Sequence, residues 1–308
     1  MLEFLQSLPS PIAQGMIWGV MAIGVYITYK ILDLADLTVD GSFATGGAVF
    51  VTLVTSGANI YLAMLVAFAI GCVAGFVTGI FHTRFGIPAI LAGILSQLGL
   101  YSVNLRIMGG RANIPISWRN YDLLVSSKSD ELTKTIIICV LFNIVLIGVL
   151  YWFFGTELGH SIRATGCNQA MSRANGINTD NRKIMGLIIS NGLVAVSGAF
   201  LCQFQGSADI NMGRGAIVIG LAAVIIGEVV FSKIFKNFAL RLLSAVIGAI
   251  LYYIVIAAVL KLGLHANDLK LFSALIVGLF LGLPYWKTKL SRKNVCSQKK
   301  GGEQKCLK

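Results

Sequence analysis

Hydrophobic residues along the chain fall into long runs separated by short polar interruptions, and the lengths of those runs predict the architecture. A helix needs about 20 predominantly apolar residues to cross the hydrocarbon of a bilayer. Runs of that order cover residues 12–32, 37–55, 60–81, 87–103, 135–154, 184–205, 215–231, 238–260 and 271–286. The pattern predicts an all-α, polytopic transmembrane helical bundle of about nine spans, within a range of roughly eight to ten. Several runs are short or rich in glycine, so a broken or re-entrant helix is expected, above all near residues 33–56, where three aspartates interrupt the apolar pattern. Irregular backbone of that kind survives in a membrane only where protein buries it or where it lines a cavity.

Two segments stand apart from the runs. Residues 156–183 form the one long polar stretch between strongly apolar neighbours, and from residue 159 onward Arg163, Arg173, Arg182 and Lys183 face only Asp180. Its small residues Ala164, Gly166, Ala170, Ala174 and Gly176 permit close approach by another surface. Asn168 as N-cap and Gly176 as terminator predict a short helix over residues 168–174. Charge and size leave two readings open, a docking element and an ordinary basic cytoplasmic loop. The second segment is the tail 287–308, where eight Lys and Arg residues stand against Glu303 alone. The chain thus divides into a transmembrane domain, residues 1–286, and a basic tail.

Composition places the chain outside soluble proteins: of 308 residues 56% are hydrophobic and 12% charged, with mean hydropathy +0.80. A formal net charge of +12 would raise nucleic-acid binding in a soluble protein. Here the excess lies in one loop and one tail, where it sets orientation in a lipid bilayer, and no nucleic-acid partner is indicated. Placing tail and loop in the cytoplasm makes 82–86 and 232–237 internal, 104–134, 207–214 and 261–270 external, and the amino terminus external. No Lys or Arg precedes the first apolar run, so that run lacks the positive region of a secretory signal and is expected to be retained.

An acid within the hydrocarbon is costly and marks a pathway or site by default. Asp33, Asp36 and Asp40 lie between the first two runs, with Thr38 and Ser42 beside them. If the second helix begins in mid-membrane, these groups face a central cavity; the alternative is an interfacial loop of solvated acids. Asp36, Thr38, Asp40 and Ser42, with Asn104 at the start of the long external loop, are the candidate pathway residues. Glu228 is expected to reach water at a helix end. Gln203, Gln205, Asp209 and Asn211 group near the external side, and Arg106 and Arg111 flank a glycine turn suited to an acidic external partner or simply to starting the loop. Residues 36–41 and 209–213 form a faint internal repeat of the kind found in transporters built from duplicated halves. Glycines spaced by four at Gly15/Gly19, Gly71/Gly75/Gly79 and Gly278/Gly282 suit packing seams or a homodimer face.

Enzyme chemistry has little to stand on. The six cysteines form no CxxC pair and no metal-ligand spacing with His82, His160 and His265, so neither a disulfide framework nor a metal site is expected. There is no GxxxxGK[ST] phosphate loop, no HExxH helix and no GxSxG elbow. No cofactor is expected on this chain. A transporter or channel remains, and a stand-alone carrier would couple to ions through its membrane-embedded aspartates.

Three stretches carry a resemblance: DLTVDGSF at 36–43, GIPAILAG at 86–93 continuing to RIMGGR at 106–111, and IRATGCN at 162–168 continuing to NGINTD at 175–180. The sequence resembles the membrane permease of binding-protein-dependent ABC importers of the branched-chain amino acid and ribose type, over residues 12–287. It is nearest to the branch linked to lipoprotein receptors for aromatic amino acids or related small solutes. Ribose-type permeases carry a glycine where this chain has Asp40, which leaves the solute open between sugars, amino acids and other small polar molecules. The resemblance implies a multi-pass subunit of a bacterial plasma membrane with its carboxyl terminus in the cytoplasm. It implies a homodimer, two ABC ATPase subunits that use the ATP, and an extracellular solute-binding lipoprotein. Arg163, Ala164, Gly166, Asn168, Arg173, Gly176 and Asn178 would then couple the permease to the ATPase.

Overall fold

Eight of the nine apolar runs fold as one helix each. The computed structural model describes residues 8–117, 121, 123–127, 131–231, 235, 237–261, 271, 274, 275, 277, 278 and 282. The ninth run, 271–286, falls only partly within these, as do the loops 232–237 and 261–270; residues 1–7 and the tail 287–308 lie outside them. Helix α1 (Pro9–Tyr26) continues into a π-helical turn (Ile27–Ile31). It is followed by α2 (Thr38–Thr55), α3 (Ile60–Thr83), α4 (Ala89–Ile107) and the short strand β1 (Asn113–Pro115). Then come α5 (Leu132–Phe154), α6 (Glu157–Cys167), α7 (Gln169–Ala174), α8 (Thr179–Gln205), strand β2 (Ser207–Asp209), α9 (Ala216–Phe231) and α10 (Phe238–Lys261). Among the described residues six helices are long and apolar enough to cross a membrane: α1 with its π turn, α3, α4, α5, α8 and α10. The architecture is a polytopic helical bundle.

α8 lies at its centre, buried continuously from Ser190 to Phe204 and packed on α1, α2 and α3. In lipid no hydrophobic effect drives helices together, so small residues that let backbones approach decide the packing. A Cβ on Gly46 would collide with the Ala195 carbonyl of α8, and one on Gly198 with the Phe43 carbonyl of α2. Gly71 and Gly75 seat α3 on Asn191 and Leu187 in the same way, and Gly15 and Gly19 seat α1 on Ile250 and Val246 of α10. The repeats at Gly15/Gly19 and Gly71/Gly75/Gly79 are therefore seams inside one subunit, whereas a Cβ on Gly278 would meet nothing within 4 Å. Large apolar side chains of α3, α4 and α5, such as Leu65, Leu98, Leu141 and Ile144, point outward, as membrane-facing surface should.

Among the described residues, the loops fall at two ends of the bundle. Antiparallel pairing of β1 with β2, Asn113 opposite Asp209, joins the loop after α4 to the connection after α8. At the opposite end α6 sits against the π turn, and Phe154 meets Phe238 with ring centroids 5.1 Å apart.

The expected break near residues 33–56 is present. Past the π turn the chain unwinds, Asp33 takes a left-handed conformation (φ 54°), and α2 starts with Thr38 against Thr78 of α3, inside the bundle. A second break, which hydropathy does not announce, follows β2: the chain turns back through residues 210–215, and α9 begins beside the first turn of α2. The two segments of the faint repeat thus touch, Gly213 lying against the Asp40 carbonyl.

Candidate functional site

The start of α2 is held by a buried polar network. The Asp36 carboxylate, 3% exposed, accepts the Thr38 backbone N–H at 2.9 Å and the Asn191 side-chain N–H at 2.7 Å. The Asn191 carbonyl oxygen accepts the Ser42 hydroxyl at 2.6 Å, and its amide also donates to the Leu187 carbonyl. Thr38 lies 2.8 Å from the Thr78 hydroxyl, which in turn is 2.7 Å from Ser96. Buried polar groups are tolerable when each finds a partner. α2, α3, α4 and α8 supply those partners here. Asp36, Thr38 and Ser42 are accordingly buried inside the subunit and hydrogen-bonded within it. Asn191 joins Asp36 and Ser42 through its paired donor and acceptor.

Asp40 is placed differently. Its two carboxylate oxygens accept the backbone N–H groups of Gly215 and Ile217, each at 2.9 Å, at the amino-terminal end of α9. The open N–H groups and dipole of a helix start favour a carboxylate there. Asp40 also lines a pocket of about 330 Å³ together with Asn104, Gln97, Tyr101 and Arg214. Asn104 is 1% exposed, and its carbonyl oxygen has no hydrogen-bond partner. Two of the five candidate pathway residues, Asp40 and Asn104, are thus brought together.

Gln97, Tyr101 and Arg214 carry no motif that would have singled them out. Gln203, grouped with solute-facing residues by sequence, instead accepts the Leu124 backbone N–H at 3.1 Å and ties down the loop before α5. Glu228 forms an ion pair with Lys30 at 2.8 Å, and both side chains stay over 40% exposed on the surface of the chain. Among the described residues no group of three or more His, Cys, Asp or Glu could hold a metal.

At the opposite end the polar segment forms two helices. Sequence predicts the second, and α7 indeed begins after Asn168, whose side chain accepts the Met171 N–H at 3.0 Å. Gly176, with φ 78°, ends it, and the Ile177 N–H returns to the Ser172 carbonyl. Helix α6 goes unpredicted. It buries Gly159, Ile162 and Thr165, and Gly166 presses onto the Ile31 carbonyl and Leu32. Gly166 is therefore small for a close approach within its own subunit.

Other candidate coupling residues shape the hairpin. Asn178 caps α8 by accepting the Asn181 N–H at 3.1 Å. Arg173 donates to the Thr179 hydroxyl at 2.8 Å and stands 3.5 Å from Asp180, and Arg163 lies over the Phe238 ring, 5.1 Å from its centroid. Facing outward are Ala164, Cys167, Ala170, Met171 and Ala174, interspersed with the exposed polar residues Arg163, Gln169, Arg173 and Asn175.

Comparison with known proteins identifies the family. The family described as "Branched-chain amino acid transport system / permease component" matches residues 9–287. The chain is 38% identical over 285 residues to a tyrosine transport system permease protein of Clostridioides difficile, covering 92% of this chain and 94% of that one. It is 34% identical over 272 residues to an uncharacterized protein of Rickettsia prowazekii, covering 88% and 94%. A ribose import permease of Escherichia coli is 27% identical over 209 residues, covering 68% of this chain and 65% of that one. With nearly all of its apolar region matched and with a helical membrane bundle as its fold, the chain belongs to the branched-chain amino acid and ribose permease family of ABC importers.

Proposed function

We propose that two copies of this chain form the solute pathway of an ATP-driven importer for an amino acid, working with two separate ATPase subunits and an extracellular receptor in a bacterial plasma membrane. The observation that carries the coupling is the seat of α6 on Ile31 and Leu32. Those residues immediately precede the break that positions Asp36 and α2. A push on the α6–α7 hairpin therefore reaches the start of α2, and through Asp40 the start of α9 and the pocket. The outward face of small residues around Met171, 64% exposed, suits a shallow groove on the ATPase. In this reading residues 1–286 are the permease domain, residues 156–183 its cytoplasmic coupling segment, and 287–308 a cytoplasmic tail.

The amino-acid assignment draws on the relative named for tyrosine transport, which is more similar to this chain than the ribose permease. A stand-alone carrier would need free acids to titrate, whereas Asp36 and Asp40 are occupied by hydrogen bonds. ATP is hydrolysed on the partner chain, and no cofactor is assigned to this one.

The test is to tag the chain in its own membrane, solubilise it gently and identify what copurifies, with labelled tyrosine uptake measured in parallel. An ATPase in equal amount and uptake that stops when ATP is withdrawn are expected. Recovery of the chain alone, still moving solute into liposomes without ATP, would overturn the importer reading.

A further inference from the structure

We infer that the pocket between α2, α4 and the turn 210–215 is a binding subsite for a zwitterionic solute, with Arg214 as the counter-charge of the solute's carboxylate. The inference rests on the amino-acid reading above and assigns that recognition to named side chains.

Depth makes the case first. Asp40 lies in the first turn of α2, inside the bundle, and Gln97 lies midway along α4; both line the pocket with Arg214. Arg214 is exposed, yet among the described residues its guanidinium makes no ion pair and no hydrogen bond. An arginine without an ion partner beside the first turn of α2 is costly against lipid and is expected to face a water-filled cavity or a ligand. Its position is not that of a loose surface arm. The turn that carries it is tied by the Asp209 carboxylate to the Asn211 N–H at 2.7 Å and by the Arg214 N–H to the Asn211 carbonyl at 3.0 Å. Beyond it, Gly215 is tied to Asp40.

The second observation is independent of Arg214. Asn104, almost wholly buried, stands in the same pocket wall, and its side-chain carbonyl oxygen, sealed from the pocket's open space, has no hydrogen-bond partner. A buried acceptor left unsatisfied is a standing cost that an incoming N–H donor removes. The pocket thus offers a planar fork of donors suited to a carboxylate, and a small opening of its wall exposes the Asn104 acceptor to an ammonium. The Asp40 carboxylate in the pocket wall adds negative potential for an ammonium, and the exposed Tyr101 ring offers a surface for an apolar or aromatic side chain. A volume of about 330 Å³ lies at the low end of small-molecule pockets, about 300–1,000 Å³. That is the set of groups an α-amino acid requires, and a neutral sugar uses neither the free charge nor its separation from the acceptor.

The experiment is equilibrium binding of labelled tyrosine to the solubilised permease–ATPase complex, with unlabelled tyrosine, tyramine and ribose as competitors. In the wild type tyrosine is expected to compete at least about tenfold better than tyramine, which lacks only the carboxylate. Arg214→Gln is expected to weaken tyrosine binding at least about tenfold and to erase its advantage over tyramine, with ATPase copurification unchanged. Arg214→Lys should restore part of both. Tyrosine bound equally by wild type and Arg214→Gln overturns the subsite while leaving the amino-acid reading standing. Equal competition by tyrosine and tyramine in the wild type overturns the carboxylate role without recourse to a variant. Binding of ribose in place of tyrosine overturns the subsite and the amino-acid reading together.

Discussion

Asn191 shows how much one side chain does in a low-dielectric interior. Both of its N–H groups and its carbonyl are used, on Asp36, the Leu187 carbonyl and Ser42, so α2 and α8 are joined by bonds that water cannot replace. Removing it strips a donor from a buried carboxylate, which costs more than a neutral bond is worth. Asn191→Ala is expected to destabilise the fold by roughly 2–4 kcal/mol, read as a fall of roughly 5 °C in thermal unfolding of the solubilised protein. Ser42→Ala loses a single bond between neutral groups and should cost only about 1 kcal/mol. If the two variants unfold together, the network is not organised around Asn191.

Among the elements, α6 and α7 combine an inner face fitted to the bundle with an outer face fitted to something else. Gly166 belongs to the inner face: any side chain there would occupy the place of the Ile31 carbonyl, and α6 would have to lift off α1. Gly166→Leu is therefore expected to cut uptake more than tenfold while the chain still inserts, measured as labelled tyrosine uptake against the amount of permease in the membrane. Gly176 is exposed with no atoms near the missing Cβ, and only its positive φ is special. Gly176→Ala should cost about 1 kcal/mol and leave most uptake intact. Equal uptake by Gly166→Leu and wild type would detach the hairpin seat from coupling.

For the molecule as a whole, the two ends are chemically distinct and so can be addressed separately. Cys167 is exposed on α6, whereas Cys139 and Cys202 are buried. Asn113, paired with Asp209 at the far end, is exposed as well. With Cys296 and Cys306 replaced by Ser, a membrane-impermeant maleimide should label Cys167 in inside-out vesicles but not in intact cells, and an added Asn113→Cys thiol the reverse. Labelling of Cys167 from outside intact cells would invert the orientation that the basic tail predicts.

The helical bundle could be read from the chain because the bilayer acts on each segment locally: length and hydropathy alone decide what can span. Eight runs were placed to within a few residues. Errors sit where a cap extends a helix beyond its apolar part, as at Asn178, which starts α8 several residues before the run at 184. The break near residues 33–56 was legible for the same local reason, three acids where lipid tolerates few. Helix α6 was not, since the face it buries consists of Gly159, Ile162 and Thr165, too small and mixed to register as a stripe. Which residues meet was decided only in three dimensions. Asp36 finds Asn191 across 155 positions, Asp40 finds Gly215 across 175, and Arg214 joins Asn104 around one pocket. Hydropathy cannot separate those partners, because packing in lipid depends on where glycine faces let two backbones close, and that complementarity belongs to pairs of helices, not to either sequence alone.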